Sequence, residues 1–144
     1  MSVLDAFALC AMFLEEAAAD EVRTILRSRP TYVAAINLAE TYDRLIRTHA
    51  VEVAELDLVV EGLVSERSVQ IVPLDREIAR RSGLLRAANY QRRGRSVSLA
   101  DCVAVATAES IGQPIVTSDE PLAHIARSID VDVIALPDST GTRP

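Results

Sequence analysis

The chain has 144 residues, 49% of them apolar and 25% charged, a length and composition typical of one folded domain rather than a disordered segment. All 15 cationic side chains are Arg, and the lack of Lys excludes a phosphate-binding P-loop and Schiff-base lysine catalysis. Aromatic residues make up 3% and the net charge is −6, which argues against base stacking on several aromatic side chains and against non-specific coating of nucleic acid.

The first third of the chain alternates apolar runs of strand and helix character. Ser2–Asp5 predicts a short strand, and the Ala- and Leu-rich run Ala6–Arg27 predicts mostly helix. Pro30 breaks this run, because the residue before a proline is pushed out of the helical region. Thr31–Ala34 predicts a second strand, followed by a helix over Ile36–Thr48.

The apolar face predicted for that helix consists of residues at helical spacing, which are Ile36, Ala39, Tyr42 and Ile46. A second helix follows over Val51–Ser65, and Val69–Leu74 predicts the third strand. Asp75 is placed to cap a helix over Arg76–Ala88.

The polar, Arg-rich stretch Asn89–Val97 predicts a loop. Ser98 then opens a helix that runs to Ile111, and Gly112 ends it. The remaining elements are a strand over Ile115–Thr117, a helix over Pro121–Ile129 and a last strand over Val131–Leu136.

Repeated strand–helix units predict an α/β fold of three layers, with a central, mostly parallel sheet between helices. We expect one domain over residues 1–137 and a tail over residues 138–144 that frays, because it has no apolar side chain to pack. In such sheets, sites form beyond the carboxyl ends of the strands.

Cys10 and Cys102 lie in apolar surroundings without zinc-ligand spacing, which predicts two buried thiols in a reducing cytosol. The apolar start of the chain lacks the basic segment of a signal peptide, and Asp5 interrupts it. No run approaches the ~18 apolar residues of a membrane span. We therefore expect a cytoplasmic protein that does not enter the membrane.

Three carboxylates stand at strand ends or helix starts. Asp5 and Asp119 each follow a predicted strand, so each is either a helix N-cap or part of a site. Asp101 is the sole ionisable residue of Leu99–Ala108, a stretch that predicts a helix buried all round. A buried carboxylate needs a partner, and both a capping box with Ser98 and a metal ion would supply one.

Glu40 and Asp43 lie on the same side of the Ile36–Thr48 helix, and periodicity does not choose between them. The acids Asp5, Asp101 and Asp119, with Glu40, would repel one another at one sheet edge unless a cation lay among them. Oxygen ligands without sulfur or imidazole favour Mg²⁺ or Mn²⁺. A water on such an ion is a nucleophile for phosphodiester hydrolysis.

The chain resembles PIN-domain ribonucleases, in particular the VapC-type toxins of bacterial toxin–antitoxin pairs. The resemblance runs from Val3 to about Leu136 and rests on the order and spacing of four short motifs. They are Val3-Leu4-Asp5-Ala6, Asn37-Leu38-Ala39-Glu40, Ser98-Leu99-Ala100-Asp101 and Val116-Thr117-Ser118-Asp119.

The resemblance implies a PIN-like fold and a Mg²⁺- or Mn²⁺-dependent endonuclease of structured RNA. It carries the catalytic and metal-binding acids over to Asp5, Glu40, Asp101 and Asp119, and thereby favours Glu40 over Asp43. Thr117 matches a hydroxyl that supports the site. Such proteins typically dimerise and are inhibited by a small cognate antitoxin. A housekeeping RNA-processing nuclease and a non-catalytic binding module remain alternatives.

One residue departs from the family pattern. After Asp5-Ala6 the family usually has a small hydroxyl or amide residue, and this chain has Phe7. The Phe7 side chain either turns into the core or faces the metal, where it would alter hydration and the approach of substrate.

The stretch between the third strand and Asp101 is rich in arginine. It holds seven of the 15: Arg76, Arg80, Arg81, Arg86, Arg92, Arg93 and Arg95. It is either a solvated surface or a strip that contacts RNA phosphates, to which the planar guanidinium is suited, or an acidic antitoxin segment. We take Arg92, Arg93 and Arg95 as the candidate RNA-binding residues.

Overall fold

The computed structural model describes residues 1–28, 30–90 and 96–144. The strands of this described part are β1 (Val3–Leu4), β2 (Thr31–Ala34), β3 (Val69–Val72), β4 (Ile115–Thr117) and β5 (Val133–Ala135). Its helices are α1 (Ala6–Phe13), α2 (Ala19–Ser28), α3 (Ala35–His49), α4 (Val53–Ser65), α5 (Arg76–Asn89), α6 (Leu99–Ile111) and α7 (Glu120–Ser128).

The five strands form one sheet in the order β3-β2-β1-β4-β5, and all neighbouring pairs are parallel. Side chains alternate between the two faces of a strand. Val3 and Ile115 pack on one face in a core with α5, α6 and α7, whereas Leu4 and Val116 pack on the other face in a core with α1 and α2. The predicted three-layer α/β architecture is confirmed.

Local sequence signals located most elements. The predicted bounds of β2 and β4 match the structure, Asp75 caps α5 by accepting a hydrogen bond from the Ile78 N–H at 2.8 Å, and Gly112 ends α6 with φ of 61°. The predicted helix over Ala6–Arg27 is instead two helices, because the chain turns after Leu14 through a left-handed Glu15 at φ 55°.

The remaining bounds differ by a few residues. The structure has shorter strands β1, β3 and β5 than predicted, and α4 begins at Val53 because Ala50 ends α3 in the left-handed region. Helix α5 extends through Asn89, the first residue of the predicted Arg-rich loop. The centre of that loop, residues 91–95, lies outside the described residues.

The predicted buried face of α3 is wrong. Ile36 and Ile46 are 37% and 39% exposed, whereas the buried residues are Asn37, Thr41 and Leu45. Burial of the two polar side chains is partly offset by hydrogen bonds: the Asn37 amide donates to the Ala100 carbonyl at 3.2 Å, and the Thr41 hydroxyl donates to the Asn37 carbonyl at 2.8 Å. Helical periodicity in the sequence carries no information about such tertiary hydrogen-bond partners.

Helix α6 is buried from Cys102 to Ala108, but its first residue, Leu99, is 54% exposed. The expectation of burial all round is therefore wrong for the first turn, which reaches the surface at the carboxyl edge of the sheet. Cys10 and Cys102 are buried, unpaired thiols, as predicted.

No helix within the described part of the chain is both long enough and apolar enough to cross a membrane. At the C-terminus, Arg143 pairs with Glu21 at 2.6 Å and donates to the Ala135 carbonyl at 2.6 Å. The predicted fraying of residues 138–144 concerns motion and stays a prediction, as does a cytoplasmic location.

Candidate functional site

The site lies where the strand order reverses. From β1 the chain proceeds to β2 and β3 on one side, then crosses to β4 and β5 on the other. This switch point leaves a crevice beyond the carboxyl ends of β1 and β4. Asp5 directly follows β1 and Asp119 lies two residues beyond β4, so the two strands deliver both carboxylates to the crevice.

A pocket of about 290 Å³ opens at this crevice, and all four predicted acids line it. Its lining residues are Asp5, Ala6, Phe7, Glu40, Arg44, Ser98, Asp101, Ser118 and Asp119. Four separate segments of the chain therefore converge here: the junction of β1 and α1, helix α3, the start of α6, and the end of β4.

Asp5 and Asp119 are helix caps and pocket residues at once. The Asp5 carboxylate accepts the Ala8 N–H at 2.7 Å, and the Asp119 carboxylate accepts the Leu122 N–H at 2.7 Å. The two interpretations of these acids are therefore compatible. Capping holds one oxygen of each carboxylate in place and leaves the other able to bind a ligand.

Asp101 forms a complete capping box at the start of α6. Its Oδ2 accepts the Ser98 N–H at 2.7 Å, and the Ser98 hydroxyl accepts the Asp101 N–H at 3.0 Å. The carboxylate is partly buried and also lines the pocket. Here too the capping and site interpretations hold together, and the box fixes where the carboxylate points.

Glu40 and Asp43 both lie on α3, but their side chains have different surroundings. Glu40 is half-buried and lines the pocket, whereas Asp43 is exposed and pairs with Arg47 at 3.0 Å. The structure thus brings Glu40, and not Asp43, to the other acids.

Asp5 is the most strongly perturbed of these carboxyl groups. Burial raises its pKa to about 7, against hydrogen bonds from Thr117 and the Ala8 N–H, and the charges of Asp101 and Asp119 raise it further. An acid with such a pKa is poorly solvated and surrounded by like charge. The pocket therefore favours any positive group that can approach Asp5.

The other acids respond to the same crowding. The pKa of Glu40 is raised by burial and by Asp101, and Arg44 opposes the shift. The pKa of Asp119 is raised by loss of surrounding water and by Asp101, and the Leu122 N–H opposes the shift. The charge of Asp101 thus acts on both Glu40 and Asp119.

The donor set fits a hard divalent cation, because its members are carboxylate oxygens that line one pocket and the charge of Asp101 raises the pKa of the other three. Within residues 1–28, 30–90 and 96–144, however, no three His, Cys, Asp or Glu side chains lie close enough together to hold a metal ion. The pocket therefore supplies carboxylate oxygens without closed ligand geometry.

Thr117 joins the two strand-end acids. Its hydroxyl accepts the Asp119 N–H at 2.9 Å, and its hydrogen bond to Asp5 lowers the pKa of that carboxyl group. Thr117 is completely buried. The predicted role of this hydroxyl in supporting the site stays a prediction.

Sequence reasoning missed Asn37 and Arg44. The buried Asn37 amide ties α3, which carries Glu40, to the Ala100 carbonyl beside Asp101. Arg44 lies one helical turn after Glu40 and lines the pocket. A signal for Arg44 was its i,i+4 spacing from Glu40, whereas only the packing of α3 on α6 reveals the contact of Asn37.

Phe7 lines the pocket, yet it is partly buried and packs against the core that contains Leu4 and Val33. Phe7 therefore belongs both to this core and to the lining of the pocket.

The arginines of the Arg-rich stretch differ in what their guanidinium groups contact. Arg81 makes a two-pronged ion pair with Glu109 at 2.6 and 2.7 Å, and Arg86 lies over the Tyr90 ring and donates to the Val97 carbonyl. Arg76 and Arg80 are exposed on α5. The predicted RNA-binding residues Arg92, Arg93 and Arg95 lie outside the described residues.

Comparison with solved structures finds the same fold in bacterial toxin–antitoxin systems. A toxin–antitoxin complex from Klebsiella pneumoniae is 19% identical with a TM-score of 0.66, over 93% of this chain and 96% of that one. FitAcB from Neisseria gonorrhoeae is 23% identical with a TM-score of 0.63, again over 93% and 96%.

VapC20 from Mycobacterium tuberculosis, described as a toxin that cleaves the sarcin-ricin loop, is 13% identical with a TM-score of 0.65, over 86% of this chain and 94% of that one. At these identities the likeness concerns the fold. A search among curated proteins gives no match. The PIN domain model matches residues 2–128, a span that contains all four acids of the pocket. The chain belongs to the PIN-domain family.

Proposed function

We propose that this PIN domain is a metal-dependent endoribonuclease that hydrolyses phosphodiester bonds of RNA. The single observation that carries the proposal is the pocket at the β1–β4 switch point, which is lined by Asp5, Glu40, Asp101 and Asp119 and where the charge of Asp101 raises the pKa of the other three acids. Carboxylates that repel one another in the folded protein favour a bound cation, and Mg²⁺ or Mn²⁺ suits an all-oxygen donor set.

The four acids would hold the ion, which would supply an activated water and polarise a phosphate oxygen. The chain's own residues prepare this arrangement. Caps hold Asp5, Asp101 and Asp119 through one oxygen each. Thr117 orients Asp5, and the hydrogen bond from Asn37 to Ala100 keeps Glu40 beside Asp101.

We further propose that the protein is the toxin of a toxin–antitoxin pair. Support comes from the PIN domain, from a structural neighbour solved as a toxin–antitoxin complex and from another described as a toxin. A small antitoxin protein would need an apolar surface, and α4 offers one: Leu58 is 73% exposed and Val53 is 50% exposed.

A homodimer is proposed at the carboxyl edge of β2 and β3. Ala34 and Val72 are paired in register where the two strands end, and Ile36 and Leu74 each follow two residues later. Both are exposed, at 37% and 44%. Exposed apolar side chains near one edge of a sheet favour association of two copies.

The test of the proposed function is incubation of the purified protein with total RNA and Mn²⁺, with and without excess chelator, followed by mapping of the cut ends. We expect defined cuts that disappear with chelator and in Asp5→Asn. Asp43→Asn, which changes an acid of the same region outside the pocket, is expected to cut like wild type.

Two results would contradict the nuclease proposal. Cutting that persists in excess chelator would show that the reaction does not depend on a metal ion. RNA binding without any cut in Mg²⁺ or Mn²⁺ would identify a non-catalytic module. The target RNA separates the two biological roles: cuts in a translation component that stop growth support a toxin, and maturation of a precursor RNA supports housekeeping processing.

A further inference from the structure

Arg44 is a cationic side chain in the wall of an otherwise acidic pocket. It lies on α3 one turn after Glu40, is exposed to solvent, and lines the same 290 Å³ pocket as the four carboxylates. No other residue that lines this pocket in the described chain carries positive charge.

The guanidinium lies close enough to the site to affect its electrostatics. It opposes the rise in the pKa of Glu40, and it lowers the pKa of the Cys10 thiol against the effect of burial. The ion pairs found among the described residues involve Arg23, Arg47, Arg81 and Arg143, and not Arg44. Its donors are thus not used in a fixed pair within that part of the chain.

An RNA nuclease with this pocket has an electrostatic problem. Four carboxylates carry more negative charge than one divalent cation neutralises, so the pocket would still repel an incoming phosphodiester. A second positive group beside the ion would remove this repulsion. Arg44 has the right charge, and its planar fork of N–H donors matches two oxygens of one phosphate.

We propose that Arg44 binds the phosphate group of the RNA substrate at the mouth of the acidic pocket, as a positioning residue for the phosphodiester. This inference rests on the proposed nuclease function, because it places an RNA backbone at the same pocket. The competing role is that Arg44 only offsets repulsion among the carboxylates.

The test compares Arg44→Gln with Arg47→Gln. Arg47 lies on the same helix and carries the same charge, but it is exposed and paired with Asp43 outside the pocket. Both substitutions are placed in an Asp101→Asn background, which is expected to bind RNA without cutting it. The measurement is the affinity for a fluorescein-labelled single-stranded RNA in Mn²⁺ across a range of salt concentrations.

We expect Arg44→Gln to weaken binding about tenfold, as for loss of a charged hydrogen bond. The slope of log affinity against log salt should fall by about 0.7, the value for one single-strand phosphate contact. Arg47→Gln should leave both quantities near those of the background protein. Arg44→Lys keeps the charge and should restore the slope, but not all of the affinity, because it lacks the fork.

Equal effects of Arg44→Gln and Arg47→Gln, or a slope that Arg44→Lys fails to restore, would overturn the proposal. A larger rise in melting temperature on adding Mn²⁺ for Arg44→Gln with Asp101 intact, together with an unchanged salt slope, would assign Arg44 the offsetting role and also overturn the proposal. If wild type binds RNA through Arg44 but never cuts it, the proposed function fails while the phosphate contact stands.

Discussion

Thr117 and Asp5 lie opposite each other at the ends of β4 and β1, one residue beyond the Leu4–Val116 pair, and the Thr117 side chain lowers the pKa of the Asp5 carboxyl group. The same hydroxyl accepts the Asp119 N–H at 2.9 Å. One buried threonine thus links the acids that end two parallel strands. Its position explains how a short, three-residue strand can hold two carboxylates in a fixed relation.

Asp5 is expected to govern how the stability of the metal-free protein depends on pH. Its pKa is about 7 in the folded state and about 3.9 in an unfolded chain. The folded state therefore binds this proton more tightly, and the free energy of unfolding should fall by roughly 4 kcal/mol as pH rises from about 4 to about 7.

Urea unfolding in chelator between pH 4.5 and 8 measures this effect. Glu40 and Asp119 also have raised pKa values and change stability in the same direction, so the difference between wild type and Asp5→Asn isolates Asp5. The variant should lose less stability towards neutral pH. Parallel curves for the two proteins would contradict the prediction.

Asp101→Asn should separate the two roles of this side chain. Asn retains an oxygen that can accept the Ser98 N–H, so metal-free stability should change by less than about 1 kcal/mol, with relief of repulsion offsetting the weaker cap. The rise in melting temperature on adding Mn²⁺, which reflects binding to the folded state, should largely disappear together with cleavage.

Asp75→Asn is the matched control, because Asp75 caps α5 through the Ile78 N–H outside the pocket. It should have a similar small effect without metal and keep the full response to Mn²⁺. If Asp101→Asn still cleaves at the wild-type rate, Asp101 is not part of the catalytic site.

Phe7→Ser should lower stability without raising activity. The side chain is partly buried against the core of α1 and α2, so we expect a loss of about 2 kcal/mol, below the 3–5 kcal/mol of a fully buried phenylalanine. Phe13, another partly buried residue of α1, lies away from the pocket, and Phe13→Ser should be similarly unstable. A gain in cleavage confined to Phe7→Ser would instead mean that Phe7 obstructs the site.

Joint neutralisation of Arg92, Arg93 and Arg95 should weaken RNA binding and lower its salt slope by about 0.7 for each lost single-strand phosphate contact. Arg81→Gln is the comparison, because Arg81 is paired with Glu109 and is expected to change stability more than RNA affinity. Salt titrations of binding measure both. An unchanged slope in the triple variant would show that this segment does not contact RNA.

Much of the site could be predicted because its residues follow local signals. Asp5 and Asp119 end apolar strands and start helices, and Ser98 and Asp101 have capping-box spacing. Capping depends on neighbours three residues away in the sequence. Parallel strands then bring their carboxyl ends to one edge, so the sequence alone was sufficient to expect these acids near one another.

Tertiary structure decided the rest, because burial and partners depend on distant segments. The apolar spacing of Ile36 and Ile46 suggested the buried face of α3, but packing of that helix buries Asn37 instead, where Ala100 supplies a hydrogen-bond partner. The same packing turns Glu40 into the pocket and Asp43 outward, a choice that periodicity left open. It also sets Arg44 beside the acids, since only the folded chain determines which charges meet.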